Sequence, residues 1–106
     1  MPDQYTNSWW DTVFEGADPY SEYELTDKGM DQAQVIREMY PEEAWKQIMS
    51  GPPAQVAFFT FLMGLDKGMS ISETYNVLKS RGISEKPIRE GLASLIQNRY
   101  IEDLGP

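Results

Sequence analysis

The spacing of apolar residues along the chain predicts a mostly helical protein. In four segments apolar residues recur every three or four positions, as they do on one face of an α-helix, and a fifth segment is apolar nearly all round. These segments are residues 27–40, 41–49, 54–65, 70–81 and 85–98. Two shorter segments, residues 22–25 and 100–104, predict strands. The run SGPP at residues 50–53 is the clearest break in the chain.

Capping residues support the predicted helix boundaries. Thr26 and Asp27 can each cap the first helix, because both side chains accept hydrogen bonds from free backbone N–H groups. Ser70 lies three residues before Glu73, which is the spacing of a capping box. Ser84 is predicted to cap the last helix in the same way.

Two apolar groups are assigned to the core. Residues 54–65 are apolar nearly all round, which predicts a buried helix. The methionines are interpreted as core filler rather than as a binding groove. They are Met30, Met39, Met49, Met63 and Met69.

The N-terminal segment carries a short apolar set that one or two helical turns would present on one side. Its members are Trp9, Trp10, Val13 and Phe14. Large aromatic side chains are seldom left in water unless they bind something. We interpret the tryptophan pair as a lid on the core, with an exposed docking patch as the alternative.

The last three predicted helices, with a glycine-containing turn at residues 81–84, have a helix-turn-helix layout. Residues 91–102 (GLASLIQNRYIE) add a pattern in which two leucines precede a basic, an aromatic and a β-branched residue. In these features residues 53–104 resemble the winged helix-turn-helix superfamily of transcription regulators. The resemblance implies a winged-helix-like core, mostly α with a small β element, preceded by an N-terminal helical extension.

The resemblance also implies a DNA-binding surface around the last helix. Placed on a helical wheel, Ile88, Leu92, Leu95 and Ile96 face inward, whereas Lys86, Arg89, Glu90, Ala93 and Gln97 face outward. In that superfamily the outer face enters the major groove. The expected DNA-binding residues are Lys79, Arg81, Ser84, Lys86, Arg89 and Gln97.

These side chains suit such a role, although the same face carries opposing charges. Basic side chains can contact guanine or phosphate, Gln97 can pair with adenine, and Ser84 with the helix N-terminus can hold a phosphate. Ala93 would allow close approach, whereas Glu85 and Glu90 repel phosphate. A solvated or protein-binding face is the equal alternative.

The chain departs from the superfamily after the last helix, where seven residues leave room for one strand but no wing. Residues 23–29 (YELTDKG) look like the superfamily's exit from the wing, yet they precede the helix-turn-helix here. Residues 22–25 could therefore pair with residues 100–104, as in a permuted winged helix. A coincidental match is the alternative, and the sequence alone slightly favours it.

Composition excludes several kinds of chemistry. The 106 residues contain no cysteine and no histidine, which rules out disulfides, thiolate or histidine metal sites and histidine-based catalysis. No glycine-rich phosphate loop is present. We expect one non-catalytic domain over residues 1–106, without cofactor or metal, and, because no signal peptide or membrane span is visible, a cytoplasmic one.

Charge divides the chain into two halves. Residues 1–50 hold three basic and eleven acidic residues and form the acidic extension, whereas residues 51–106 hold six of each. Residues 79–99 carry a local net charge of +3, although the whole chain carries −8. The acidic half is interpreted as a solubilising surface. Binding of a basic partner, imitation of nucleic acid and adaptation to high salt are the alternatives.

Together these features predict a small transcriptional regulator that binds double-stranded DNA. The third helix of its helix-turn-helix core would contact the DNA. We expect a homodimer joined through Trp9, Trp10, Phe14, Trp45 or the apolar excess of residues 54–65. The alternative is an acidic protein-interaction module, viral or regulatory, that keeps the helix-turn-helix shape without binding DNA.

Overall fold

The elements follow one another along the chain in the predicted order. The computed structural model describes residues 18–105, and within that range it contains two strands and five helices. Their bounds are β1 Glu22–Leu25, α1 Asp27–Met39, α2 Glu42–Met49, α3 Pro53–Asp66, α4 Ile71–Ser80, α5 Glu85–Gln97 and β2 Ile101–Gly105. The prediction of a mostly helical protein with a small β element is confirmed. The predicted turn with Trp9, Trp10, Val13 and Phe14 lies outside the described residues.

Helix α3 lies at the centre of the core and contacts each of the other four helices. It is buried, as its nearly continuous apolar sequence predicted. The buried residues are Val56, Ala57, Phe59, Phe61, Leu62, Met63 and Gly64. These residues pack inside the protein, and the homodimer expected from the sequence stays a prediction. Trp45 of α2 is half-buried and packs edge-on against Phe59, with ring centroids 4.9 Å apart.

Helix α5 packs closely on α3 through its predicted apolar face. Ile88, Leu92 and Leu95 are fully buried in this contact region. Gly91 allows the closest approach, because a Cβ there would lie 2.6 Å from the Phe58 nitrogen. Any larger residue would force the two helices apart, so this glycine sets their separation.

The turn between α4 and α5 is closed by backbone hydrogen bonds. Helix α4 begins with the predicted capping box, in which Ser70 and Glu73 each bind the other's backbone N–H. It ends where Gly82 takes a left-handed conformation with φ +85°. The Ile83 N–H then donates to the Leu78 carbonyl over 3.2 Å, which completes a Schellman motif. The sequence therefore fixes the direction in which α5 leaves α4.

The two strands pair with each other although almost the whole described chain separates them. β1 and β2 are antiparallel, with Tyr23 opposite Asp103, Glu24 opposite Glu102 and Leu25 opposite Ile101. An irregularity follows at Glu22, whose partner is Gly105. The sequence left open whether residues 22–25 pair with residues 100–104, and the structure shows that they do.

The start of α1 is attached to the end of α5 by the residues of the segment YELTDKG. The Thr26 hydroxyl donates to the Arg99 carbonyl and accepts from the Gly29 N–H, capping α1 as predicted. Lys28 donates to the Asn98 carbonyl over 2.8 Å and lies 4.9 Å from the centroid of the Tyr100 ring. These contacts bind the carbonyl groups of the two residues that follow α5.

Two methionines on α1 contradict the prediction that the methionines fill the core. Met30 is 51 % exposed and Met39 is 73 % exposed, whereas Gly29, Ala33 and Ile36 form the buried face of the helix. The reason is that the inner face of α1 is narrow and is already filled by these three residues. Met63 is buried as predicted, and Met49 and Met69 are half-buried.

Candidate nucleic-acid interface

Five of the six predicted DNA-binding residues lie around the turn between α4 and α5. Lys79 is in the last turn of α4 and Arg81 is its C-cap, whereas Ser84 is the N-cap of α5. Lys86 and Arg89 follow in the first and second turns of α5. All of these side chains are exposed except that of Arg89, which is half-buried. The turn therefore brings a basic group together at the N-terminus of α5.

Gln97 does not join this group. It is exposed in the last turn of α5, eleven residues after Lys86. At 1.5 Å per residue this is about 17 Å along the helix axis. A DNA duplex that contacts the turn would therefore meet Gln97 only if it lay along the whole length of α5.

Ser84 occupies the predicted N-cap position, but its hydroxyl makes no capping hydrogen bond. An N-cap side chain normally accepts from the second or third N–H of the helix. The third residue of α5 is Pro87, which has no N–H group. The Ser84 hydroxyl and the N–H groups of the first turn are therefore not used by a side-chain cap, in contrast to those at the start of α4.

Glu85 is the residue of this surface that the sequence interpretation underestimated. One carboxylate oxygen accepts from Arg89 Nε over 3.0 Å, and the other lies 3.4 Å from Lys79 Nζ. The second oxygen also accepts a short hydrogen bond from the Tyr75 hydroxyl. Two of the predicted phosphate-binding cations are thus paired with the same carboxylate.

The surroundings of Glu85 keep it ionised. Partial burial by itself raises the pKa of the carboxyl, but hydrogen bonds from Tyr75 and Arg89, with the charges of Arg89 and Lys79, lower that pKa overall. Burial and the hydrogen bond to Glu85 raise the pKa of the Tyr75 hydroxyl. At neutral pH the cluster therefore consists of a carboxylate, a neutral phenol and two cations.

Part of this cluster can be recognised from the sequence alone. Glu85 and Arg89 have the spacing of an ion pair on one helix face. The contact of Tyr75 with Glu85 joins two helices across the turn, so the local sequence pattern does not predict it. Tyr20 packs edge-on against Tyr75, with ring centroids 5.7 Å apart, and it comes from the residues before β1.

One residue of the predicted outer face of α5 is not exposed. Ala93 is only 7 % exposed, so the prediction that it allows a DNA duplex to approach closely is wrong. The helical wheel placed it opposite the face that packs on α3, and it is covered nevertheless. The accessible surface of α5 is therefore concentrated at its two ends, near Lys86 and near Gln97.

The described residues contain neither a metal-binding cluster nor a membrane-spanning helix. Between residues 18 and 105 no group of three or more acidic side chains is arranged to hold a metal ion. None of the helices in this range has both the length and the hydrophobicity to cross a membrane. Comparison of the chain with protein-family models, curated proteins and solved structures gave no match.

Proposed function

We propose that this protein is a non-catalytic, winged-helix-type regulator that binds double-stranded DNA through the turn between α4 and α5. The observation that carries the proposal is the exposure of Arg81, Ser84 and Lys86 at the N-terminus of α5. In helix-turn-helix proteins the N-terminal residues of the second helix contact base edges. The opposite face of α5 is buried against α3. This packing sets the direction in which the N-terminus of α5 points.

The sheet supports the winged-helix part of the proposal. In a winged helix two strands follow the recognition helix and lead into a further helix. Here β2 follows α5 and β1 leads into α1, but β1 comes first in the chain. The antiparallel pairing of β1 with β2 restores the spatial order that a permuted winged helix would have.

The charges around the turn and the net charge of the chain act on DNA affinity in opposite directions. Arg81 is the C-cap of α4 and Lys86 lies in the first turn of α5, and Lys79 and Arg89 are both paired with Glu85. The chain as a whole carries a net charge of −8, which repels DNA at long range. We therefore propose that the phosphate contacts contribute only a weak, sequence-independent affinity, and that base contacts near Lys86 supply the specificity.

Fluorescence anisotropy with a labelled DNA duplex, titrated at several salt concentrations, tests this proposal. Replacing Arg81 and Lys86 together by alanine should weaken binding, and it should reduce the slope of log affinity against log salt by about 2, since each phosphate contact contributes close to one unit. The matched control is Lys46→Ala, because Lys46 is an exposed lysine on α2 and belongs neither to the turn nor to α5. Equal affinities and slopes for the double variant and the control would contradict the proposal.

A second variant examines the inhibitory role of Glu85 in the same titration. Glu85→Gln keeps a hydrogen-bond acceptor for Tyr75 but removes the charge that pairs with Lys79 and Arg89. The variant should bind DNA more tightly than the parent, and the gain should shrink as salt screens the charges. Unchanged or weaker binding would show that Lys79 and Arg89 do not face DNA.

The second candidate function is an acidic protein-interaction module. Several apolar side chains favour this function. They lie on α1 and on the residue that follows it, and they are exposed in a part of the chain that is rich in carboxylates. These exposed side chains are Met30, Val35, Met39 and Tyr40. The same titration separates the two functions, because a parent protein without DNA affinity at any salt concentration would support the interaction module.

A further inference from the structure

We propose that a groove between α2, α3 and α4 binds a medium-chain carboxylate, that is, an unbranched apolar chain with one terminal carboxylate group. The proposal does not depend on DNA binding. It is carried by a cavity of suitable size and lining, by the charges at its border and by a second cavity that continues it.

The groove is large enough and apolar enough for such a ligand. It has a volume of about 360 Å³, within the range of small-molecule pockets. Its walls include Trp45, Phe59 and Met63, with the half-buried Met49 and Met69 at its sides. Methionine side chains adapt their shape to an apolar ligand, which suits a flexible chain.

The polar groups in the walls already have partners within the protein. The Trp45 indole N–H donates to the Tyr40 carbonyl over 3.2 Å, which fixes the ring in the wall. The Thr60 and Thr74 hydroxyls donate to backbone carbonyls of their own helices. The walls therefore favour an apolar group rather than a polar one.

The border of the groove supplies the complementary charge for a carboxylate. Among the described residues that line it, Lys67 and Arg81 are cations and none is a carboxylate. Both cationic side chains are exposed, and Lys67 Nζ lies 5.7 Å from the centroid of the Trp45 ring. The two cations give the border a local positive charge that complements a carboxylate head group, although the chain as a whole carries a net charge of −8.

A second cavity gives the groove its length. A space of about 290 Å³, bordered by Pro53, Val56 and Ile83, shares Met49 and Arg81 with the first cavity. The two apolar spaces thus adjoin at the same pair of side chains. This arrangement accommodates an extended chain better than a single compact ring.

Methionine-methyl NMR of the full chain, titrated with decanoate below its micelle concentration, tests the proposal. The signals of Met49, Met63 and Met69 should shift in a saturable manner. Those of Met30 and Met39, which are exposed on α1 and outside both cavities, serve as internal controls. Decanol, with the same chain and no charge, should bind several-fold more weakly, and acetate should not shift the signals.

Variants identify the head-group contacts. Lys67→Gln and Arg81→Gln should each weaken decanoate binding by about two- to fivefold, as expected for an exposed ion pair. Lys46→Gln, with the same loss of charge on the exposed side of α2, should leave binding unchanged.

Three results would overturn the proposal. One is the absence of shifts at Met49, Met63 and Met69, or equal shifts at Met30 and Met39. Another is equal binding of decanoate and decanol together with no effect of either charge variant. The third is a dependence of these signals on protein concentration without ligand, which would mean that a second copy of the chain occupies the groove.

Discussion

At the scale of single residues, Gly29 shows how the segment YELTDKG attaches α1 to the end of α5. A Cβ at this position would lie 2.0 Å from the Tyr100 carbonyl oxygen. The Tyr100 oxygen in turn accepts from the Thr26 N–H over 3.1 Å, so it cannot move away freely. The glycine is therefore required by the close approach of two backbones and not by the helix in which it lies.

Gly29→Ala should lower the free energy of unfolding by about 1–3 kcal/mol, the usual cost of forcing an extra methyl group into a packed site. In an open helix position, replacing glycine by alanine would instead raise the free energy of unfolding by about 1 kcal/mol. A decrease would therefore show that the close contact with Tyr100 is present. Urea denaturation followed by far-UV circular dichroism measures it. Gln34→Ala, on the exposed side of the same helix, is the control and should stay near the parent.

Glu85 predicts a pH dependence of stability. Its pKa is lower in the folded protein than the ordinary value of 4.5, so its ionised form stabilises the fold. That stabilisation is complete above pH 4.5 and is lost as the pH falls through the lowered pKa.

Urea midpoints of the parent and of Glu85→Gln, measured in parallel over a series of pH values, test this dependence. The parent should be the more stable of the two at neutral pH, because glutamine resembles the protonated acid. The difference should disappear in acid. A difference that stays constant over the whole range would show that the ion pairs of Glu85 do not stabilise the fold.

The residue scale is also where prediction from the sequence was least complete. Thr26 and the pair Ser70–Glu73 were assigned correctly, because capping depends on neighbouring residues. Ser84 occupies the predicted N-cap position but makes no capping hydrogen bond, and Pro87 removes one of the two N–H groups that it could cap. The burial of Ala93 and the contact of Tyr75 with Glu85 depend on tertiary packing, which the helical wheel does not contain.

At the scale of elements, the pairing of β1 with β2 joins the two ends of the described chain. Each strand has four or five residues, too few for a distinctive pattern, and their partners are remote in sequence. Helix periodicity is local, so the helices could be predicted, whereas this pairing could only be left open. Glu24 and Glu102 lie directly opposite each other, although like charges in such a position are unfavourable.

The register can be tested with cysteine pairs, because the chain has no cysteine of its own. Glu24→Cys with Glu102→Cys places two thiols on directly opposed, exposed positions, where the separation suits a disulfide. This variant should form an intramolecular disulfide on mild oxidation, detected by its changed mobility on a non-reducing gel. Glu24→Cys with Asp103→Cys is the mismatched control, since neighbouring strand residues point to opposite faces. Equal yields for the two pairs would contradict the register.

At the scale of the whole molecule, the uneven distribution of charge is the property that most affects binding. The acidic residues are concentrated in residues 1–50, and the local excess of basic residues lies at residues 79–99. The interaction with DNA that we propose thus combines local attraction with long-range repulsion. Salt screens both the attraction and the repulsion. It screens the long-range repulsion more, because closely paired charges are screened less than distant ones.

Replacing Glu42 and Glu43 by glutamine tests the solubilising role of the acidic half. Both residues are exposed in the first turn of α2. The double variant should bind DNA roughly twofold more tightly at low salt, and the gain should fade as the salt concentration rises. Anisotropy titrations measure this change. A loss of DNA binding, or a gain that persists at high salt, would show that these acids do more than repel phosphate.

In the function that we propose, the protein contacts DNA with the turn between α4 and α5 and with the first turn of α5. Amide NMR spectra of the labelled protein, recorded during titration with a DNA duplex at low salt, test it most directly. The amide signals of residues 81–86, 88 and 89 should shift, with those of Arg81 and Lys86 among the most affected, whereas those of Val35 and Met39 on the exposed apolar side of α1 should stay unchanged. A spectrum that does not change, or shifts confined to α1 and α2, would contradict it.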